Sequence, residues 1–111
     1  MNKEERFKLY NDAETYWGHI AQYDQCIEEC AELIVAINKY KRKVLHNDYE
    51  NNPEIEENLV EELADVYMCL EQLGEFVGRT RFEKKFEEKL QKLAGQIEKQ
   101  KLKQGKIDEN K

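Results

Sequence analysis

The sequence predicts an all-α fold, a four-helix-bundle-like domain in which two central helices carry a set of acidic residues. Three observations lead there. The chain has one proline and five glycines, with 38% charged and 40% hydrophobic residues, and a composition dominated by Glu, Lys, Leu and Gln favours helix. Apolar residues recur at steps of three and four, without strand-like alternation of useful length. At 111 residues there is material for one hydrophobic core and not for two. The expected layout is therefore a single helical domain over residues 1–98, followed by a polar tail, 99–111, that frays.

The first helix is expected from Lys3 to Tyr16, with Phe7 and Tyr10 as its apolar contacts, and Gly18 interrupts it. The second runs from His19 to Leu45. Its main stripe is Ile20, Tyr23, Ile27, Cys30, Ile34, Ile37 and Val44, and Cys26, Leu33 and Tyr40 form a second one. A helix with two apolar stripes needs contact on two sides, which points to a homo-oligomer, a dimer or tetramer. Lys39, Lys41, Arg42 and Lys43 place positive charge at the negative end of its dipole. Residues 46–52 read as a loop.

Asn52-Pro53 is a helix start, with Asn as N-cap, Pro in the first turn, and Glu54, Glu56 and Glu57 behind it. The third helix then extends to Val77 along a seam of Leu59, Leu63, Val66, Leu70, Leu73 and Val77, and Gly78 closes it. Thr80-Arg81-Phe82-Glu83 is a capping-box sequence that opens a fourth helix. Phe82, Phe86, Leu90, Leu93 and Ile97 form its apolar face.

Charge is unevenly placed. Residues 1–78 hold 7 Lys/Arg and 18 Asp/Glu, a balance of −11, whereas residues 79–111 hold 11 and 6, a balance of +5. An acidic body repels a nucleic acid polymer. No apolar run reaches the roughly 18–20 residues of a membrane span, and none resembles a signal peptide, so a cytoplasmic protein is expected. The three cysteines, Cys26, Cys30 and Cys69, form no C-x-x-C and read as small buried apolar residues.

The candidate site is a set of carboxylates. Glu28-Glu29-Cys30-Ala31-Glu32 lies in the second helix and Glu61-Glu62-Leu63-Ala64-Asp65 in the third. Residues three apart share a helix face, so Glu29/Glu32 and Glu62/Asp65 are two pairs, and antiparallel packing lets them converge. These acids interrupt apolar stretches. None has a basic residue three or four positions on, whereas a solvated helix face mixes signs, as Glu88 and Lys92 do. Asp65 is also a poor choice for a helix interior. Carboxylates gathered without counter-charge raise one another's pKa and lose hydration, and a hard divalent cation relieves both. All-oxygen ligation suits Mg2+ or Mn2+. A di-iron carboxylate centre would want Glu-x-x-His, and His19 and His46 lie at neither spacing.

With these residues the chain resembles the MazG-type, all-α NTP pyrophosphatase superfamily, whose signature is E-E-x-x-E followed after a spacer by E-x-x-D. Trp17-Gly18, Gln22 and Gln25 before the first motif, and Leu33-Ile34-Val35-Ala36-Ile37 after it, add to the likeness, which covers about residues 17–93 and is greatest to small stand-alone bacterial and prophage members. The resemblance implies a Mg2+-dependent nucleoside triphosphate pyrophosphohydrolase that cleaves between the α- and β-phosphates to give monophosphate and pyrophosphate. It implies Glu29, Glu32, Glu62 and Asp65 as metal ligands; the neighbouring acids Glu28 and Glu61 are the catalytic candidates, either supporting the ligands or positioning water. Arg79, Arg81, Lys85 and Lys89 are candidates for the phosphates, and Trp17 and His19 for the base. The competing reading is a non-catalytic helical module that binds metal, nucleotide or protein.

Overall fold

A computed structural model of the chain describes residues 1–46 and 52–109. Most of the loop expected over 46–52 lies outside the described residues, as does the end of the tail. Among the described residues all secondary structure is helical: α1 (Lys3–Trp17), α2 (His19–Tyr40), a π-helical turn (Lys41–Leu45) and α3 (Pro53–Glu109). The chain divides into two units, Met1–Phe76 and Val77–Lys111.

In the first unit each helix end has a local cause. Asn2 caps α1 by accepting from the Glu5 N–H at 2.8 Å, and the Glu5 side chain returns to the Asn2 N–H at 3.4 Å, a reciprocal capping box. Gly18 ends α1 and precedes α2 at φ 92°, ψ 156°, a conformation open essentially to glycine alone. Past Tyr40 the last turn widens, and the His46 N–H reaches the Lys41 carbonyl at 3.1 Å. Asn52 starts α3 as its sequence predicts: its Oδ1 accepts from the Ile55 N–H at 3.4 Å and its carbonyl from Glu56.

The helices pack through narrower seams than hydropathy suggests. On α2 a four-three run of buried and half-buried residues, Gln22, Cys26, Glu29, Leu33, Ala36 and Tyr40, makes the expected second stripe the inner one. Most of the expected main stripe faces outward: Ile20, Ile27, Cys30, Ile34 and Ile37 are exposed, while Tyr23 is half-buried. On α3 the inner seam keeps Leu59, Val66 and Leu73 but adds Ile55, Glu62, Cys69 and Phe76. Leu63, Leu70 and Val77, expected to face the core, are exposed instead. Cys26 and Cys69 are buried as expected, and Cys30 is not.

α1 is fastened to α3 by a polar clamp. Arg6 donates from Nε and Nη2 to the two oxygens of Glu71, at 2.9 and 3.0 Å, and the Tyr10 hydroxyl donates to Glu71 Oε1 at 2.7 Å. Phe7 and Tyr10, both buried, meet edge to face.

Over its described residues the second unit is helical. Gly78 alone leaves helical geometry, at φ 123°, ψ 104°, at the position where one helix is expected to end and the next to begin. The helix continues beyond Lys99, where fraying is expected, as far as Glu109. Phe82, Phe86, Leu90, Leu93 and Ile97 are exposed along it.

Candidate metal centre

Cross-helix contacts fix an antiparallel register. Gln22 pairs with Gln72 and Cys26 with the Cys69 carbonyl, and farther along Glu29 and Glu32 lie across from Glu62, so numbers rise on α2 as they fall on α3. These residues step by three, four or seven, which keeps all of them on one face of each helix. That periodicity brings the two acidic motifs together from opposite directions.

Glu29, Glu32 and Glu62 each offer a carboxylate oxygen, and these oxygens lie within 4.8 Å of one another. Asp65 is outside that tightest set; its charge acts on Glu29, and the two line one groove. The cluster has one polar partner among the described side chains, Gln25, whose Nε2 donates to Glu29 Oε1 at 2.7 Å. Glu29 Oε2 and Glu62 Oε2 are enclosed and have no hydrogen-bond partner. Enclosed carboxylate oxygens left unpaired are costly.

The electrostatics follow. Loss of hydration raises the Glu29 pKa above the usual carboxylate value; Gln25 opposes the rise, and the charges of Asp65 and Glu32 add to it. Glu62 is raised first by loss of hydration and then by Glu32, Glu29 and Asp65. The donor set is all oxygen, converging and short of positive charge, and it fits a hard divalent cation.

Two hollows flank the cluster within the first unit. A groove of about 720 Å3 has Glu29 and Asp65 at one end and Trp17, Gln22 and Gln72 along it. A smaller one, about 340 Å3, is bordered by Glu32, Glu62 and Asn58. Trp17 is 72% exposed beside the large groove. His19 does not line it: its Nδ1 lies 2.7 Å from Glu14 Oε1, and its ring meets Tyr23 edge to face and Phe76 at a tilt.

Glu28 and Glu61 are exposed and stand outside the converging three. Arg79, Arg81, Lys85 and Lys89 belong to the second unit. There, Lys85 pairs with Glu88 at 2.7 Å, and the Arg81 side chain packs beside Gly78. The sequence pattern passed over Gln72, and it offered Gln22 and Gln25 only as neighbours of the first motif. The usable signal was register: Gln22 lies one heptad before Glu29, and Gln72 one heptad after Asp65.

No protein-family model, curated protein or solved structure matches the chain. Among the described residues, no helix is long and apolar enough to cross a membrane.

Proposed function

We propose that the chain is a MazG-like, Mg2+-dependent nucleoside triphosphate pyrophosphohydrolase of the cytoplasm, releasing pyrophosphate by cleavage between the α- and β-phosphates. The observation that carries this reading is the convergence of Glu29, Glu32 and Glu62, with two enclosed oxygens lacking any partner and Asp65 alongside. Glu29, Glu32, Glu62 and Asp65 hold the cation. Bound Mg2+ or Mn2+ supplies charge neutralisation at phosphate oxygens and a water of lowered pKa. Gln25 fixes one oxygen of Glu29 and leaves the other for ligation. Glu28 and Glu61, adjacent in sequence to the ligands, are the acids proposed to orient water. The groove beside the cluster provides room for the organic part of a nucleotide.

The uncovered apolar faces complete the proposal. Ile20, Ile27, Ile34 and Ile37 on α2, and Val60, Leu63, Tyr67 and Leu70 on α3, are exposed, and a row of this kind marks an association surface. A homo-oligomer, dimer or tetramer, that completes a four-helix bundle covers them. A monomer by sedimentation equilibrium would refute that part.

The decisive experiment is a panel of ribo- and deoxyribonucleoside triphosphates with Mg2+. Pyrophosphate is expected as first product, and EDTA is expected to abolish its release. Orthophosphate as first product would overturn the α–β cleavage. No product with any nucleotide would leave the non-catalytic module.

A further inference from the structure

One cross-helix contact in the first unit serves neither the acids nor the clamp. Gln22 and Gln72 are 8% and 7% exposed, and Gln72 Nε2 donates to Gln22 Oε1 at 2.7 Å. Buried carboxamides are costly unless their polar atoms are satisfied. This bond uses one donor group and one acceptor. It leaves the Gln22 amide NH2 and Gln72 Oε1. Among the described residues, the enclosed polar side-chain atoms without partners are Glu29 Oε2 and Glu62 Oε2, so the remaining amide ends keep some accessibility, and both glutamines line the groove. Exchanging nitrogen and oxygen in both amides reverses the bond and again leaves one donor beside one acceptor. The hydrogen-bonding pattern is therefore independent of how the amides are oriented.

A donor beside an acceptor complements the edge of a nucleobase, where a ring nitrogen adjoins an exocyclic oxygen or amine. Trp17 lines the same groove with most of its surface exposed and offers a ring face for stacking. The glutamines stand one heptad from Glu29 and Asp65, which is about 10 Å along each helix. That separation suits a base edge at one end and the first phosphates at the other.

We propose that this groove is a nucleobase site in which Gln22 and Gln72 read the base edge and Trp17 stacks on its face. The direction, base at the glutamines and phosphates at the acids, rests on the pyrophosphohydrolase reading. The base contact does not, and it is tested without metal or phosphate.

Trp17 is the single tryptophan of the chain, so its fluorescence reports directly. The full chain in EDTA is titrated with uridine, cytidine, adenosine and guanosine, and equilibrium dialysis provides a second readout. At least one nucleoside is expected to quench saturably. Its congener methylated on the ring nitrogen of that edge is expected to bind at least about tenfold more weakly, the scale of one lost hydrogen bond with an unpaired partner. Gln22→Leu and Gln72→Leu are expected to lose as much, and the methylated congener keeps the test intact if either variant fails to fold. Absence of binding by all four nucleosides, or equal binding of the methylated form, overturns the proposal. Nucleoside binding without pyrophosphate release under Mg2+ supports the base site and refutes the enzyme reading. Pyrophosphate release from edge-methylated and unmodified triphosphates alike does the reverse.

Discussion

Helix α3 presents two carboxylates to neighbouring helices from positions 62 and 71, and their surroundings are opposite. Glu71 receives two hydrogen bonds from Arg6 and one from Tyr10. Its pKa is lowered, chiefly by the Arg6 hydrogen bonds, while the Tyr10 hydroxyl, losing hydration beside that carboxylate, is pushed up to about 12. Glu62 faces Glu32 and Glu29, keeps an enclosed oxygen without a partner, and has its pKa raised. One acid is satisfied by the fold, and the other keeps an oxygen that the fold leaves unpaired. A charged group that holds helices together is met by a counter-charge; one that binds a cation must not be.

The largest expected effect comes from removing the charge at the unpaired position. Glu62→Gln, nearly isosteric, is expected to lower Mg2+-dependent pyrophosphate release by about a hundredfold or more. In EDTA its thermal midpoint should equal or exceed that of the wild type, because a repulsive charge has gone. Mg2+ should raise the wild-type midpoint by binding the folded state and leave the variant's unchanged. Scanning calorimetry with and without Mg2+ makes the comparison. A variant that unfolds early in EDTA would show that Glu62 is structural, like Glu71.

Glu71→Gln should behave in the opposite way. It is expected to cost about 1–2 kcal/mol of stability, the range for a partly buried, charge-assisted pair after allowance for solvent, with Mg2+ binding retained. The pH dependence has a definite sign. Glu71 titrates lower in the folded chain than in the unfolded one, so its contribution is complete above the ordinary carboxylate range. It is lost as pH falls through the lowered folded value. The stability difference between wild type and variant should therefore shrink on acidification below about pH 5, as urea unfolding at a series of pH values would reveal. A constant difference would place the effect in packing.

The same two positions explain how much could be read beforehand. Helix existence, the break at Gly18, the Asn52 start and the pairing of the two acidic motifs were legible, because spacing and end chemistry are local. The rotation of each helix was not. Leu59, Val66 and Leu73 belong to the inner seam under either reading; the choice lies between Leu63 and Leu70 on one side and Glu62 and Cys69 on the other. Hydropathy selects the leucines, and the structure turns the acid and the thiol inward. α2 repeats the pattern, hiding Gln22 and Glu29 while exposing Ile27 and Ile34. A stripe broad enough for two contacts gives no sign of which edge meets the neighbouring helix and which is left uncovered. Gln72 was missed for the same reason, since an isolated Gln on a charged helix has no apolar signature and only the register across to Gln22 marks it.

The smallest effect sets the baseline for the other two. Glu88 is paired with Lys85 at 2.7 Å, but both side chains are more than half exposed. Its pair is an i,i+3 contact on a single helix, so no second element depends on it. Glu88→Gln is expected to change stability by less than about 0.5 kcal/mol, and added salt should erase what remains. Mg2+-dependent release of pyrophosphate should be unaffected. Glu62, Glu71 and Glu88 would then form a graded set on α3: a carboxylate without a partner, one with partners on another helix, and one whose partner competes with water. If Glu88→Gln costs as much as Glu71→Gln, the clamp is no stronger than a solvated pair, and α1 is held by the burial of Phe7 and Tyr10 instead.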